Sequence, residues 1–267
     1  MGEIAVQKNF RRFEEKYLLT EEKFALLDQQ LREYLIPDQF GRHTICNIYF
    51  DTDSFDMISW SLDKPMYKEK FRIRSYGVPS DEDQVFAEIK KKFEKIVYKR
   101  RIAATWQEVQ DLIQNGRHTH ADLSAKGMRQ LEQQNKRNEQ IENEIIWFMK
   151  RHQVRPKAFI GYDREAYTVR GEPELRLTLD RNLRYRTTDL DLRKGDQGDL
   201  IMPENPIVME IKYPGTAPVW LSKMLSQLEI FPITFSKYGT CYKRHLLDED
   251  HQNISRDSYY AVYGKHR

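Results

Sequence analysis

The sequence predicts an α+β protein in which an antiparallel barrel, or strongly curved sheet, carries helices packed on its outside. Three observations predict this class. Strand-like runs are numerous and evenly spread over the 267 residues, helical patterns separate only some of them, and several strands alternate apolar residues with permanent charges. Such an even distribution does not suit a doubly wound sheet and favours an antiparallel barrel with helical additions.

The alternation of apolar and charged residues is clearest in FRIRSY, residues 71–76. Phe71 and Ile73 fall on one face of a strand, and Arg72 and Arg74 fall on the other. The same pattern returns in FAEIKKK and VMEIKY, with Glu88 and Lys90 in the first. Two interpretations stay open on this pattern alone: a sheet whose charges face solvent, or a barrel whose charged lumen is enclosed by helices.

The elements follow in order along the chain. Thr20, followed by acidic residues, is the N-cap of the first predicted helix. The polar segment before Pro156 has a thin apolar stripe and no sustained heptad, so it predicts a helix on the barrel exterior rather than a coiled coil. Residues 189–205 predict a turn-rich loop. We expect one domain over 1–267, with a core of about 10–246 and a polar tail at 249–267. The predicted strands lie at 10–18, 43–51, 67–76, 84–91, 95–103, 157–169, 174–180, 183–187 and 206–213, and the helices at 20–35, 105–115, 122–151 and 217–230.

The net charge, the two cysteines and the hydrophobic stretches limit the class of protein but do not identify a ligand. There are 44 basic and 41 acidic residues, so the net charge is only +3 and a polyanion site has to come from local arrangement. Cys46 and Cys241 lack zinc-site spacing, which predicts buried free thiols in a reducing compartment. Since no stretch has the length and hydrophobicity of a signal peptide or membrane span, we expect a cytoplasmic protein that reaches a membrane only through a separate protein partner.

The charged strand residues form a set in which cations outnumber anions. Brought into one lumen they would repel one another and lose hydration, so such a site requires a multiply anionic ligand. Arginine and lysine suit phosphate oxygens, and Glu14, Glu88 and Glu210 could supply oxygen ligands to Mg²⁺ or Mn²⁺. Any single charged pair, by contrast, is most often a solvated surface pair.

Other kinds of site find no support in the sequence. There is no GxxxxGK[ST] or GxGxxG motif and no HExxH, and no serine or cysteine nucleophile arrangement is present. His118 and His120 fall in a predicted loop, where solvated histidines are the simplest interpretation. The charged strands therefore remain the main functional candidates.

Eight short segments in this order resemble the VTC domain, the polyphosphate polymerase branch of the triphosphate tunnel metalloenzymes. The resemblance covers about residues 10–246 and implies an eight-stranded antiparallel tunnel. The segments are RFEEKYLL, NIYFDT, KFRIRSYG, FAEIKKK, YDR, LRLTLD, VMEIKY and FSKYG.

The resemblance implies a role for individual residues. Glu210 would be the principal metal ligand, with Glu88 and Glu14 nearby, for Mn²⁺ or Mg²⁺. Tyr162 would face the nucleotide base, and Ser236 and Lys237 would contact the phosphate chain near the tunnel exit. The implied tunnel-lining cations are Lys16, Arg72, Arg74, Lys90, Lys99, Arg164, Arg176 and Lys212, and the implied catalytic set is Lys16, Arg72, Arg74, Lys90, Arg164, Arg176 and Glu210.

Two positions depart from the patterns of this superfamily. Arg12 stands where the hydrolase branch begins its Glu-x-Glu-x-Lys strand, which favours retention of a polyanion over its hydrolysis. Thr234 stands where the polymerases have a further lysine before the FSK element.

The leading hypothesis is a metal-dependent polyphosphate polymerase that uses ATP. A triphosphatase of the same fold and a non-catalytic polyphosphate-binding module are the alternatives. A nucleic-acid binder is the least favoured class, because aromatic residues do not interleave with the basic strands and the net charge is modest.

Overall fold

The computed structural model describes residues 12–94, 96–116 and 128–247, and the predicted tail at 249–267 and both His118 and His120 lie outside them. Eight long strands follow one another in the antiparallel hydrogen-bonding order β1-β10-β8-β7-β3-β4-β5-β6, and β2 and β9 add short pairings to β7 and β8. The strands are β1 Arg12–Leu19, β2 Leu35–Pro37, β3 His43–Asp51, β4 Tyr67–Tyr76, β5 Gln84–Phe93, β6 Ile96–Thr105, β7 Arg155–Val169, β8 Glu172–Arg186, β9 Asp199–Leu200 and β10 Ile207–Pro214. The helices are α1 Glu21–Leu31, α2 Asp56–Leu62, α3 Trp106–Asn115, α4 Met128–His152, α5 Val219–Gln227 and α6 Lys237–Cys241. The predicted eight-stranded antiparallel class is confirmed.

The chain divides into two compact units, and β7 and β8 each contribute to both. Within the described residues, the first unit comprises 12–43, 162–183 and 202–235, and the second comprises 44–94, 96–116, 128–161, 184–201 and 236–247. The expectation of a single domain stays a prediction.

The first unit is built on β1, β10 and parts of β7 and β8. Lys16 pairs with Glu210 across β1 and β10, and Glu210 pairs with Thr178 across β10 and β8. The opposite face of these strands is apolar and joins α1 and α5 in one core. That core includes Tyr17, Leu19, Leu27, Leu31, Leu177, Leu179, Met209, Ile211, Leu221 and Leu225.

The second unit is built on β3, β4, β5 and β6. The apolar face of these strands packs against α3 and α4 in a separate core. That core includes Phe71, Ile73, Ala87, Ile89, Ile102, Trp106, Val109, Leu112, Ile145 and Phe148. Cys46 also belongs to it, and both Cys46 and Cys241 are buried thiols outside any disulfide, as the sequence predicted.

Local signals account for several element boundaries. Thr20 is the N-cap of α1, as predicted, and its side chain accepts a hydrogen bond from the backbone N–H of Lys23. Thr105 and Glu108 form a reciprocal capping box at the start of α3. Gly116 ends α3 with φ of 65°, a left-handed conformation that glycine adopts without steric cost.

Some predicted boundaries were wrong. The first helix was expected to continue to residue 35, but it ends at Leu31 and β2 begins at Leu35. The runs at 174–180 and 183–187 belong to one strand, β8. The short helices α2 and α6 were not predicted, because seven and five residues are too few to show a helical period. No helix in the described part of the chain has the length and hydropathy needed to cross a bilayer.

Candidate functional site

The polar face of β4, β5 and β6 in the second unit carries a dense set of cations. Arg72 pairs with Glu88 in the strand ladder, and Glu88 pairs with Arg101, so these three residues share a face. The apolar side chains on the other face pack against α3 and α4. Helices thus cover the apolar face of these strands, as the predicted fold class with external helices requires. The predicted site residues on the charged face are Arg72, Arg74, Glu88, Lys90 and Lys99.

Glu88 is the internal counter-ion of this face. Its side chain is 2% exposed, and its Oε2 accepts hydrogen bonds from Arg72 Nε at 2.9 Å and Nη2 at 2.7 Å. Lys99 Nζ lies 2.6 Å from the other carboxylate oxygen. Burial opposes ionisation, but the positive charges of Arg72, Arg74 and Lys99 outweigh it and lower the pKa of Glu88 to about 2. Glu88 is therefore ionised at neutral pH and held by cations.

Strand β3 orients the two arginines. Arg74 is buried, and its Nε donates to Asn47 Oδ1 at 2.9 Å, while Asn47 Nδ2 donates to the Ile160 carbonyl at 2.9 Å. Arg72 Nη1 donates to the Tyr49 hydroxyl at 3.1 Å. Both guanidinium groups are thus held in defined orientations, as binding of phosphate oxygens with geometric definition requires.

The start of α6 contacts the same part of the second unit. Ser236 is the N-cap of α6, and its hydroxyl accepts a hydrogen bond from Gly239 N at 3.2 Å. Lys237 is the first residue of the helix. The next residue, Tyr238, stacks on Tyr49 with ring centroids 4.7 Å apart. The structure therefore places the FSKY segment beside the tyrosine that orients Arg72.

A buried carboxyl group anchors this arrangement. Asp51 is fully buried and accepts hydrogen bonds from Met57 N at 2.9 Å, Ile58 N at 3.1 Å and the Tyr238 hydroxyl at 2.9 Å. Burial raises the pKa of Asp51 to about 7, and these hydrogen bonds oppose the rise. Asp51 joins the end of β3 to the first residues of α2 and α6.

In the first unit, two carboxylates and two lysines from β1 and β10 form a second charged cluster. Lys212 Nζ lies 2.8 Å from Glu210 Oε1 and 3.9 Å from Glu14 Oε2, and Lys16 Nζ lies 3.3 Å from Glu14 Oε1. Lys16 Nζ also donates to the Phe235 carbonyl at 3.2 Å. The ladder pairs of β1 with β10 bring these four side chains to one face.

Glu210 is the most buried member of this cluster, at 8% exposure. Burial opposes its ionisation, but the hydrogen bond with the Glu14 carboxyl group and the charges of Lys212 and Lys16 outweigh it. The pKa of Glu210 is held well below its usual range as a result. Glu210 is therefore an ionised carboxylate at neutral pH, and its oxygens can act as metal ligands.

Arg164 on β7 is held by a buried aspartate. Its Nε and Nη2 lie 2.6 and 2.8 Å from the two carboxylate oxygens of Asp180, which is fully buried, and Nη2 is 3.8 Å from Glu210 Oε2. The guanidinium group also lies over the ring of Tyr162, 5.2 Å from its centroid. The Tyr162 ring is only 2% exposed, and its expected contact with a nucleotide base stays a prediction.

Arg176 and Thr178 complete the polar face of the first unit. Arg176 is exposed and pairs with Lys212 in the ladder, whereas Thr178 pairs with Glu210. The Thr178 hydroxyl is buried and has no hydrogen-bond partner within the described residues. A buried hydroxyl without a partner costs about 1–3 kcal/mol, so a ligand oxygen or a water molecule beside Glu210 would stabilise it.

The residues of the first unit fit a divalent metal that is shared with phosphate. Among the described residues no three acidic, histidine or cysteine side chains converge as an all-protein metal site. Mg²⁺ commonly binds through one or two carboxylates plus substrate phosphates, and the ionised Glu210, with Glu14 on the same face, matches that requirement. Glu88 is occupied by Arg72 and Lys99 in the second unit and fits a counter-ion better.

The structure therefore brings the predicted residues together in two sets, one in each unit. The expectation that both sets line one lumen stays a prediction. The first set is Glu14, Lys16, Tyr162, Arg164, Arg176, Glu210 and Lys212, and the second is Arg72, Arg74, Glu88, Lys90, Lys99, Ser236 and Lys237.

Several partners of these residues were not predicted. Asp180 orients Arg164, Asn47 and Tyr49 orient the two arginines, and Asp51 with Tyr238 fixes the start of α6. All four strand residues lie in segments with the same alternation of polar and apolar residues, NIYFDT and LRLTLD. That alternation is the signal that could have identified them.

One family model and several solved structures of known proteins match this chain. The VTC domain family matches residues 11–246. HpAC1 from Hippeastrum, a proposed adenylyl cyclase described as having a dominant triphosphatase activity, shares 17% identity and a TM-score of 0.51, covering 87% of this chain and 96% of that chain. A proposed adenylate cyclase from Bacillus halodurans shares 16% identity and a TM-score of 0.46, with 84% and 92% covered.

Proposed function

Because the chain belongs to the VTC domain family, we propose that it transfers the terminal phosphate of ATP to a growing polyphosphate chain with the help of Mn²⁺ or Mg²⁺. The observation that carries the proposal is the pair of charged faces described above. Each combines oriented arginines or lysines with fewer carboxylates than cations, and a bound polyanion would offset the repulsion among the excess cations.

The cations would bind and position the phosphoryl groups. Arg72, Arg74 and Arg164 are each held by a neighbouring side chain, so their guanidinium groups are pre-oriented for phosphate oxygens. Lys16, Lys90, Lys99, Arg176, Lys212 and Lys237 would add positive charge along the chain. In phosphoryl transfer, positioning and charge neutralisation provide nearly all of the catalysis.

Glu210 and Glu14 would hold the metal ion. Both lie on one face of the first unit, and Glu210 is ionised at neutral pH. A bound divalent ion would neutralise phosphate charge and orient the transferred group. Lys212 and Lys16, which contact these carboxylates, would position them and contact phosphate oxygens from the same face.

The substitution Glu210→Gln tests the proposal. It removes an ionised metal ligand but no phosphate-binding cation, so we expect ATP-dependent polymer synthesis to fall at least about 100-fold, since even outer-shell partners of a metal change activity 10–100-fold. Binding of polyphosphate should be retained. Polymer would be measured on a polyphosphate-stained gel with ATP and Mn²⁺, and Glu33→Gln, at an exposed position, is the matched control. Undiminished synthesis by Glu210→Gln would refute the metal assignment.

A triphosphatase is the second candidate, favoured by the activity described for HpAC1. It predicts release of orthophosphate from ATP or tripolyphosphate without chain growth. A non-catalytic binding module is the third candidate. It predicts tight polyphosphate binding that the double substitution Arg72→Ala and Arg74→Ala abolishes, with no turnover that depends on Glu210.

A further inference from the structure

The charged face of the second unit extends beyond the residues that a triphosphate needs. In the ladders of β4, β5 and β6, Lys70, Lys90 and Lys99 lie side by side. Two residues further along each strand, on the same face, Lys68, Lys92 and Val97 lie side by side in the same way. Lys68 and Lys92 therefore lie on the same face as Arg72 and Arg74. Among the described residues of β4, β5 and β6, this face holds a single carboxylate, Glu88, and eight cations: Lys68, Lys70, Arg72, Arg74, Lys90, Lys92, Lys99 and Arg101.

A third lysine, Lys64, precedes Lys68 by four residues in the sequence. It lies in the connection between α2 and β4 and is exposed. Burial lowers the pKa of Lys68, and the nearby charges of Lys92 and Lys64 lower it further. Lys92 and Lys64 are thus each close enough to Lys68 to repel its ammonium group, and an anion bound beside Lys68 would relieve that repulsion.

Lys68 is held in place for such a contact. Its Nζ donates a hydrogen bond to the Ser61 carbonyl, in the last turn of α2, at 2.9 Å. An ammonium group has three N–H donors, so two remain for a ligand. This contact with the end of α2 fixes the position of the lysine and leaves most of its hydrogen-bonding capacity available.

The face is long compared with a triphosphate. Lys68 and Arg74 are six residues apart on one strand, which corresponds to about 20 Å at about 3.4 Å per residue. The three phosphoryl groups of a triphosphate would contact only part of such a face, whereas a linear polyphosphate could follow all of it. Arg72 and Arg74, further along β4 on the same face, already supply guanidinium groups that could bind a short ligand.

We propose that Lys64, Lys68 and Lys92 form an additional phosphate-binding subsite that selects long polyphosphate chains over tripolyphosphate. This subsite rests on the proposed function and adds to it a preference for chain length. The inner residues bind the phosphates common to both ligands, and the lysine subsite contacts only a chain that extends past them.

The test compares binding of sodium tripolyphosphate and long-chain inorganic polyphosphate by isothermal titration. The variant Lys64→Gln with Lys92→Gln removes two charges and leaves the Lys68–Ser61 contact in place, and adding Lys68→Gln removes the third. Lys150→Gln with Lys223→Gln, at exposed helix positions, is the matched control for the loss of two positive charges. Thermal unfolding of each variant checks that the fold is retained.

We expect the Lys64 and Lys92 double variant to bind long-chain polyphosphate about tenfold more weakly, because it loses two solvent-accessible ionic contacts with the chain. Its affinity for tripolyphosphate should stay within about twofold of the wild type. The slope of log Kd against log salt concentration for the long chain should fall by about two, since about one counterion is released for each phosphate contact.

Equal losses for both ligands, or no loss for either, would overturn the subsite. A wild-type protein that binds long chains and tripolyphosphate equally would overturn it as well. By contrast, a protein that shows the predicted length preference but makes no polymer from ATP would refute the proposed polymerase activity and leave the subsite supported.

Discussion

The substitution Glu88→Gln tests whether Glu88 is an internal counter-ion. The side chain is 2% exposed and contacts Arg72 and Lys99 through both carboxylate oxygens. The decrease of its pKa from 4.5 to about 2 corresponds to about 3 kcal/mol of folding free energy at neutral pH. Glutamine keeps the shape but not the charge, so we expect the variant to lose about that much.

The pH dependence follows from the direction of the pKa shift. Because the folded-state pKa is lowered, the contribution of Glu88 is complete above the unfolded pKa and is lost as the pH falls toward 2. The difference in unfolding free energy between wild type and Glu88→Gln should therefore be constant above about pH 5. By pH 3 it should fall to about half or less.

Urea unfolding at pH 7, 5 and 3, followed by circular dichroism, measures this difference. Glu82→Gln is the control, because Glu82 is exposed and lies in the loop before β5. Tripolyphosphate should stabilise Glu88→Gln more than the wild type, since a bound anion replaces the lost charge. A loss below about 1 kcal/mol, or one that does not change between pH 7 and pH 3, would show that Glu88 is not the counter-ion of this face.

Three further substitutions test separate parts of the structure. Arg164→Lys should destabilise the protein by about 2–4 kcal/mol, because one ammonium group cannot reproduce the two-point contact with buried Asp180. Chemical denaturation measures the loss, and an unchanged unfolding midpoint would contradict this geometry. Tyr238→Phe keeps the ring stacked on Tyr49 but removes the hydrogen bond to Asp51. We therefore expect the free energy of unfolding to fall by about 1–3 kcal/mol and polyphosphate binding, measured by titration, to weaken. Unaltered stability and binding would show that the Asp51–Tyr238 contact does not hold the start of α6 in place. Thr105→Ala removes the capping box of α3 and should cost about 0.5–2 kcal/mol in thermal unfolding while leaving ligand binding unchanged.

The sequence alone was sufficient for the strand faces, because alternation with a period of two residues assigns each side chain to one face. Arg72, Arg74 and Glu88 lie on one face of the sheet, and Phe71 and Ile73 lie in the core on the other. The helices on the apolar face of the second unit follow from the same pattern, since an apolar face has to be buried.

Side-chain contacts between residues far apart in the sequence could not be predicted in the same way. Nothing local indicates that Asp180 would contact Arg164 or that Tyr238 would reach Asp51, 187 residues away. Such contacts depend on strand register and on the packing of short helices. The role of a charged side chain could not be read from its position in a strand either. The sequence suggested Glu88 as a metal neighbour, whereas the structure shows its carboxylate between Arg72 and Lys99.

Asp51 has a consequence for the order in which the chain can become stable during synthesis. Its carboxyl group satisfies backbone N–H groups at the start of α2, but its contact with Tyr238 forms only after nearly the whole described chain has been made. A nascent chain that ends before Tyr238 has this group buried without its tyrosine partner, or leaves it open to solvent. The start of α2 should thus gain its full protection from hydrogen exchange only once the FSKY segment has left the ribosome.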